Sequence, residues 1–256
     1  MLTLLSWKAD HTICDQGGWS PLHHAVRAES PSCIQPLLAA GADVNRPNRR
    51  GNTPLTVACS YRDSPAHVLP LLEFGADLTT PAGTGLTPLA VAVHANHTRC
   101  AQLLVEYGAR PNGPENAAAY PIHLAAAQNS HEALRWLLDV PGLDTTVVDK
   151  AGWSVLHHAA FSGDKETIEI LRETAVAGAL VGVDQNLCGV GGETAKDVLE
   201  KHRPRLGEDE ETYRVACGAF ELLLEAVGEA NSETNEPRSP EDDWFDAQEV
   251  LEKGGC

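Results

Sequence analysis

The chain is short of positive charge: 19 Lys and Arg face 36 Asp and Glu in 256 residues, a formal net charge of −17. A protein that grips phosphate polymers needs a basic footprint. Nucleic acid is therefore excluded as a partner, while attraction to basic protein surfaces and good solubility are favoured. Paired cysteines are also missing. Cys14, Cys33, Cys59, Cys100, Cys188, Cys217 and Cys256 are scattered singly and odd in number, with no CxxC spacing. Such thiols read as small buried hydrophobes in a reducing compartment. The opening MLTLLSWKAD has too short an apolar run for a signal peptide and lacks its basic start. No stretch approaches a membrane span. These absences lead us to expect a soluble monomer of cytosol or nucleus.

Catalytic signatures are lacking as well. There is no P-loop, GxGxxG, HExxH or GxSxG. The glycine cluster CGVGGET has no following Lys and runs into Glu193, the wrong sign for a phosphate. Among eleven His, the best metal-like spacing is His94, His97 and Cys100, which is not a closed four-ligand set. We expect no cofactor, no metal and no enzyme.

What is present is a period. GWSPLHH at Gly18 returns as GWSVLHH at Gly152, with GNTPLTVA at Gly51, GLTPLAVA at Gly85 and AYPIHLAA at Ala119 between them. The anchor residues Pro21, Pro54, Pro88, Pro121 and Val155 follow one another at 33, 34, 33 and 34 residues. Within one period, Asp15–Asn48, Pro21 suits the first turn of a helix through Leu22, Ala25 and Val26. A break at Glu29-Ser30-Pro31 follows. A second helix carries Ile34, Leu37 and Leu38 and stops at Gly41. Such a helix-turn-helix-loop unit cannot bury its apolar face alone and must stack on its neighbours.

SPLHHA at Ser20, TPLTVA at Thr53, TPLAVA at Thr87, YPIHLA at Tyr120 and SVLHHA at Ser154 resemble the T-P-L-H-x-A signature of ankyrin repeats. LLAAGAD at Leu37 and LLEFGAD at Leu71 resemble that family's second-helix ending. The resemblance covers roughly residues 4–227. It implies an all-α repeat fold, an ankyrin-type solenoid of about five full repeats with partial caps at both ends. Residues 1–14 read as a partial N-terminal repeat, either a minimal cap or a late-starting reading frame. Residues 15–186 hold the repeats, with TAVAGALVG inserted in the fifth. Residues 187–227 form a degenerate capping repeat ending in the helix TYRVACGAFELLLEAV, and 228–256 an acidic tail expected to be disordered.

The resemblance further implies a concave binding surface of loop tips and first helices, and a structural role for His23, His123 and His157, which share one repeat position. Partner-binding candidates on that surface are Trp19, Arg49, Arg50, Tyr61, Leu86, Trp153 and Phe161. The repeat frame demands Leu and His but not Trp. Each indole either meets a partner, as Trp, Tyr and Arg do at binding hot spots, or covers a neighbouring loop. For Trp153→Ala we expect weakened partner binding with little loss of stability. Arg46, Arg49 and Arg50 share one loop, either solvated or facing an acidic partner or the chain's own tail. In the tail, Trp244 and Phe245 sit among carboxylates as a candidate linear motif, and Ser239 has a Pro beside it and carboxylates behind it, a phosphorylation context. Asn45, in LLAAGADVN, resembles the leucine-spaced site of asparaginyl hydroxylation in ankyrin loops; the plainer alternative is a turn-capping Asn.

The expected function is a non-catalytic scaffold binding a protein partner on the concave face. Alternatives are a sequestering regulator of a transcription factor, with the repeat-plus-acidic-tail layout of the inhibitor-of-NF-kappa-B proteins, a regulatory fragment of a larger enzyme, or a ubiquitin-ligase adaptor, whose Leu/Pro-rich box the tail does not contain.

Overall fold

The computed structural model describes residues 10–113, 119–201 and 210–234. Every regular element among them is a helix. In chain order these are α1 (Pro21–Arg27), a 3-10 turn (Pro31–Cys33) leading into α2 (Ile34–Ala39), α3 (Pro54–Tyr61), α4 (Pro65–Glu73), α5 (Pro88–His94), α6 (Thr98–Glu106), α7 (Pro121–Ala127), α8 (His131–Leu138), α9 (Val155–Ser162), α10 (Lys165–Val176), α11 (Ala195–Lys201) and α12 (Glu210–Thr234).

The first helices α1, α3 and α5 start where the repeat places a hydroxyl before a proline. Thr53 caps α3 by accepting the Thr56 N–H at 3.3 Å, and Thr87 caps α5 by accepting the Ala90 N–H at 3.3 Å. Pro54 and Pro88 then occupy a position whose N–H would have no partner in any case. Second helices stop at glycines in the left-handed region, including Gly41, Gly75 and Gly108.

The helices pack in two layers. First helices contact first helices in the order α1, α3, α5, α7, α9, α11, and second helices follow as α2, α4, α6, α8, α10, α12. Between the layers runs one continuous apolar strip, from Leu22 and Ile34 through Leu55, Leu89, Leu104, Ile122, Leu134 and Leu156 to Phe220. No repeat encloses a core of its own, which is why a period of about 33 residues yields a stack.

The chain departs from expectation at its C-terminal end. The insertion in the fifth repeat extends α10 to twelve residues, and Leu180 and Val183 fold back into the core. α12 lies against α10 through Phe220, Leu223 and Val227. It continues past Gly228 to Thr234. Asn231 fastens that extension: its amide Nδ2 donates to the Val183 carbonyl at 2.9 Å and its Oδ1 accepts the Gly182 N–H at 2.7 Å. The tail boundary at Gly228 is therefore corrected, because residues 228–234 belong to the capping helix. Ser239, Trp244 and Phe245 lie outside the described residues, as does the N-terminal part of the partial repeat.

Candidate interaction face

The loops preceding α1, α3, α5, α9 and α11 are each closed by one backbone bond spanning four residues. Asp15 N–H donates to Trp19 C=O at 3.0 Å, and the same bond joins Asn48 to Asn52, Ala82 to Leu86, Asp149 to Trp153 and Gly189 to Glu193. The penultimate residue of these five tips is a glycine with φ between +73° and +82° (Gly18, Gly51, Gly85, Gly152, Gly192), which only glycine adopts without strain. Trp19, Leu86 and Trp153 are thus the same structural position, occupied by Asn52 and Glu193 in the other two tips.

Two of these tips carry a further device. Asp15 Oδ1 accepts the N–H groups of Gly17 and Trp19 at 2.8 and 2.9 Å, while its Oδ2 meets His24 Nε2 at 3.1 Å. Asp149 repeats this atom for atom: Ala151 and Trp153 at 2.8 and 2.9 Å, and His158 Nε2 at 3.1 Å. The second His of each LHH word therefore latches the tip that presents the Trp. Asn48 supplies the turn in repeat two by accepting from Arg50 and Asn52 N–H, without a His to latch it. Sequence reasoning missed this. The available signal was an Asp nine residues before the second His in both copies.

The first His of the word braces the stack. His23 Nε2 donates to the Asn52 carbonyl at 3.0 Å, and His157 Nε2 donates to the Glu193 carbonyl at 3.2 Å. Their Nδ1 atoms accept the N–H of Ser20 and Ser154 at 3.2 Å, so the neutral Nε2–H tautomer satisfies both ends. His123 donates to Val147 C=O at 3.1 Å, but Tyr120 stands where the other two repeats with this His have Ser, and its buried Nδ1 has no partner. Burial, followed by the nearby His158, pushes the His123 pKa down to about 4. His23, His157 and His158 are also lowered, chiefly by burial.

The metal-like spacing dissolves on inspection. His97 Nδ1 donates to Cys59 C=O at 2.7 Å, Cys100 is buried with its thiol pKa pushed up to about 12 by burial, and His94 is exposed at the edge of a cleft with neither of them. No group of metal-capable side chains forms among the described residues.

Asn45 spans two repeats: its Nδ2 donates to Gly75 C=O at 3.2 Å and its Oδ1 accepts the Asp77 N–H at 2.8 Å. Asn112 makes the same pair of bonds to Gly142 and Asp144. The capping alternative is therefore answered with a difference, since the bonds reach the next repeat rather than the residue's own turn.

Trp153 is half-buried in an aromatic cluster, with ring centroids 5.9 Å from His157, 5.5 Å from His158 and 5.4 Å from Phe161. It also rests on the next repeat's loop: a Cβ on Gly189 would lie 2.8 Å from Trp153 Cδ1. The expectation that this indole is nearly free of stability cost is revised accordingly. Trp19 instead leans toward Arg27, whose guanidinium carbon is 5.6 Å from its ring centroid and 5.5 Å from that of Tyr61. Tyr61 is 51 % exposed. Arg49 and Arg50 are exposed, and the Arg49 N–H ties their loop to Gly17 C=O at 3.0 Å. Arg46 is engaged, donating from Nη1 to Thr12 C=O at 3.0 Å. Leu86 lines a cleft of 220 Å³ with Asn52, Thr56, Ser60, Ala82 and Val91. The seven candidates thus fall on the tips and first helices, gathered in two groups: Trp19, Arg49, Arg50, Tyr61 and Leu86 toward the N-terminal end, Trp153 and Phe161 toward the C-terminal end.

Comparison with known proteins agrees with this architecture. The family model for ankyrin repeats in three copies matches residues 1–82, 50–115, 66–149 and 113–182. Human transient receptor potential cation channel subfamily A member 1 is 27% identical over 162 residues, 62% of this chain and 11% of that protein. The chain spans about a tenth of the curated relatives it matches. Among solved structures, the ankyrin repeat domain of Bcl-3, a member of the IkappaB family, is 25% identical, with a TM-score of 0.65 over 86% of this chain and 90% of that one. The ankyrin repeat domain of human ASB11 is 23% identical, with a TM-score of 0.68 over 85% and 90%. With the repeat signature, the two-layer stack and the family match in agreement, the chain belongs to the ankyrin-repeat family.

Proposed function

We propose that this chain is a non-catalytic interaction scaffold that binds a protein partner across its tips and first helices. The observation that carries the reading is the display of Trp19, Tyr61, Trp153 and Phe161 on this one layer. The hydrogen bonds that build the stack need none of their rings. Large aromatics held rigid at low entropy cost are what a binding face uses.

A photo-crosslinking residue placed at Tyr61 or Phe161, and for comparison at Glu73 or Glu132 on the second helices, tests this in native cells. One protein captured from the first pair of positions and not from the second is expected. Capture from the second-helix positions alone contradicts the reading.

A second reading, a sequestering regulator of a transcription factor, is favoured by the similarity to Bcl-3 along almost the whole repeat array. Co-purification of a DNA-binding protein through the same crosslinking positions would select it.

A further inference from the structure

Residues 15–62 invert the charge of the molecule. They hold five arginines, Arg27, Arg46, Arg49, Arg50 and Arg62, against three carboxylates, Asp15, Glu29 and Asp43, in a chain of net charge −17. Asp15 is occupied by its turn amides and His24, and Asp43 accepts the Asn45 N–H at 3.0 Å. Arg46 is spent on Thr12. Arg27, Arg49 and Arg50 make no ion pair among the described residues.

Arg27 is exposed, yet its guanidinium is framed by the Trp19 and Tyr61 rings at 5.6 and 5.5 Å. Ring contacts on a guanidinium leave its N–H edge directed outward and reduce the freedom lost when a carboxylate binds it. Further along α3 from Tyr61 lies the cleft of 220 Å³. Its polar wall is already satisfied within the protein. Thr56 Oγ1 donates to Thr53 C=O at 2.9 Å, Ser60 Oγ donates to Val57 C=O at 2.9 Å, and Asn52 Oδ1 accepts the Gly83 N–H at 3.2 Å. The remaining wall is Ala82, Leu86 and Val91 with the edge of His94 and Thr84, so an apolar side chain fits it best. The cleft exists because Gly83 lets two tips touch: a Cβ there would stand 1.6 Å from the Arg50 carbonyl oxygen.

We infer that the N-terminal half of this face binds an acidic segment of a partner protein, with carboxylates on Arg27, Arg49 and Arg50 and an apolar residue in the cleft between repeats two and three. The inference rests on the proposed interaction role and names the partner's chemistry at that same face. Carboxylate–guanidinium pairs supply orientation and selectivity, and the cleft supplies the anchor. A phosphate polymer does not suit the site, since the rest of the acidic molecule would repel it.

The test is selection of a displayed random-peptide library on the full chain. Enriched peptides should carry two or more Asp or Glu beside a Leu, Ile, Phe or Trp, and should bind more weakly as salt is raised. Combined Arg49→Glu and Arg50→Glu, or Arg27→Gln alone, should weaken them by at least about tenfold. Ser60→Trp, which fills the cleft, should do the same, whereas Phe161→Ala should not. Circular dichroism of each variant confirms that the repeats remain folded. Enriched peptides that are neutral or basic, or that bind the Glu variants equally well, overturn the acidic partner. If such peptides are still lost with Ser60→Trp or Phe161→Ala, the interaction face stands and only the partner chemistry falls. Peptides that map to the second helices, or no enrichment at all, count against both.

Discussion

His123 shows what burial does to an imidazole held at one end only. Its Nδ1 is buried without a partner, and burial, followed by the nearby His158, lowers its pKa to about 4. Protonation would put a charge beside the His158 ring, 4.7 Å away, with Asp149 the nearest counter-charge. A depressed folded-state pKa means that the unfolded chain binds more protons between about 6.5 and 4. The stabilisation is therefore complete above pH 6.5 and is lost as the pH falls toward 4. The separation corresponds to on the order of 3 kcal/mol across that window. His23, His157 and His158 are lowered in the same direction and add to the loss. Thermal melting at pH 7 and pH 5 should show the chain markedly less stable in acid, and His123→Gln, which keeps a donor for Val147 C=O without a charge, should flatten the difference. An unchanged pH dependence in that variant would remove His123 from the account. Trp153 makes a second residue-scale prediction. Because it packs on Gly189 and Phe161, Trp153→Ala should cost about 1–3 kcal/mol of stability as well as partner affinity. Urea unfolding with a midpoint equal to wild type would show the indole to be a pure contact residue.

At the scale of elements, the capping helix is the clearest departure from the sequence reading. Composition turns polar after Val227, and polarity alone suggested the end of the fold. Two side-chain bonds from Asn231 to the loop at Gly182 and Val183 hold the additional turns instead. Such a tie joins residues almost fifty apart and leaves no mark in local composition. A chain ending at Val227 should melt several degrees below one ending at Thr234, the loss of about 1–2 kcal/mol expected for bonds to a partly buried amide. Equal melting temperatures would mean that the extension is ornamental. The first helices α1, α3 and α5, by contrast, were legible because a hydroxyl, a proline and spaced apolar residues fix a helix start by local chemistry. The bracing role of His23 and His157 was legible from the repeat position. The latch of His24 on Asp15 and of His158 on Asp149 was not legible, since it joins a helix to the loop that precedes it. Asn45 and Asn112 were hidden for a similar reason: their partners lie in the next repeat.

At the scale of the whole molecule, the stack divides its labour. Second helices and buried strip hold the repeats together, and the tips and first helices present Trp, Tyr, Phe and Arg. The fold was readable in advance because a period is a global signal written locally five times. Which tip residues face a partner was readable only as a set, since Trp19 and Trp153 share a position and each covers a glycine, yet Trp19 covers Gly17 of its own tip and frames an arginine while Trp153 covers Gly189 of the next repeat. The central claim is that this layer is the binding surface. Hydrogen–deuterium exchange of the intact chain, alone and with its captured partner, tests it most directly. The account predicts slowed exchange in the tips and first helices around residues 17–27, 49–61 and 84–94, with unchanged exchange in α4, α6 and α8. Protection confined to those second helices, with the tips unaffected, would contradict it.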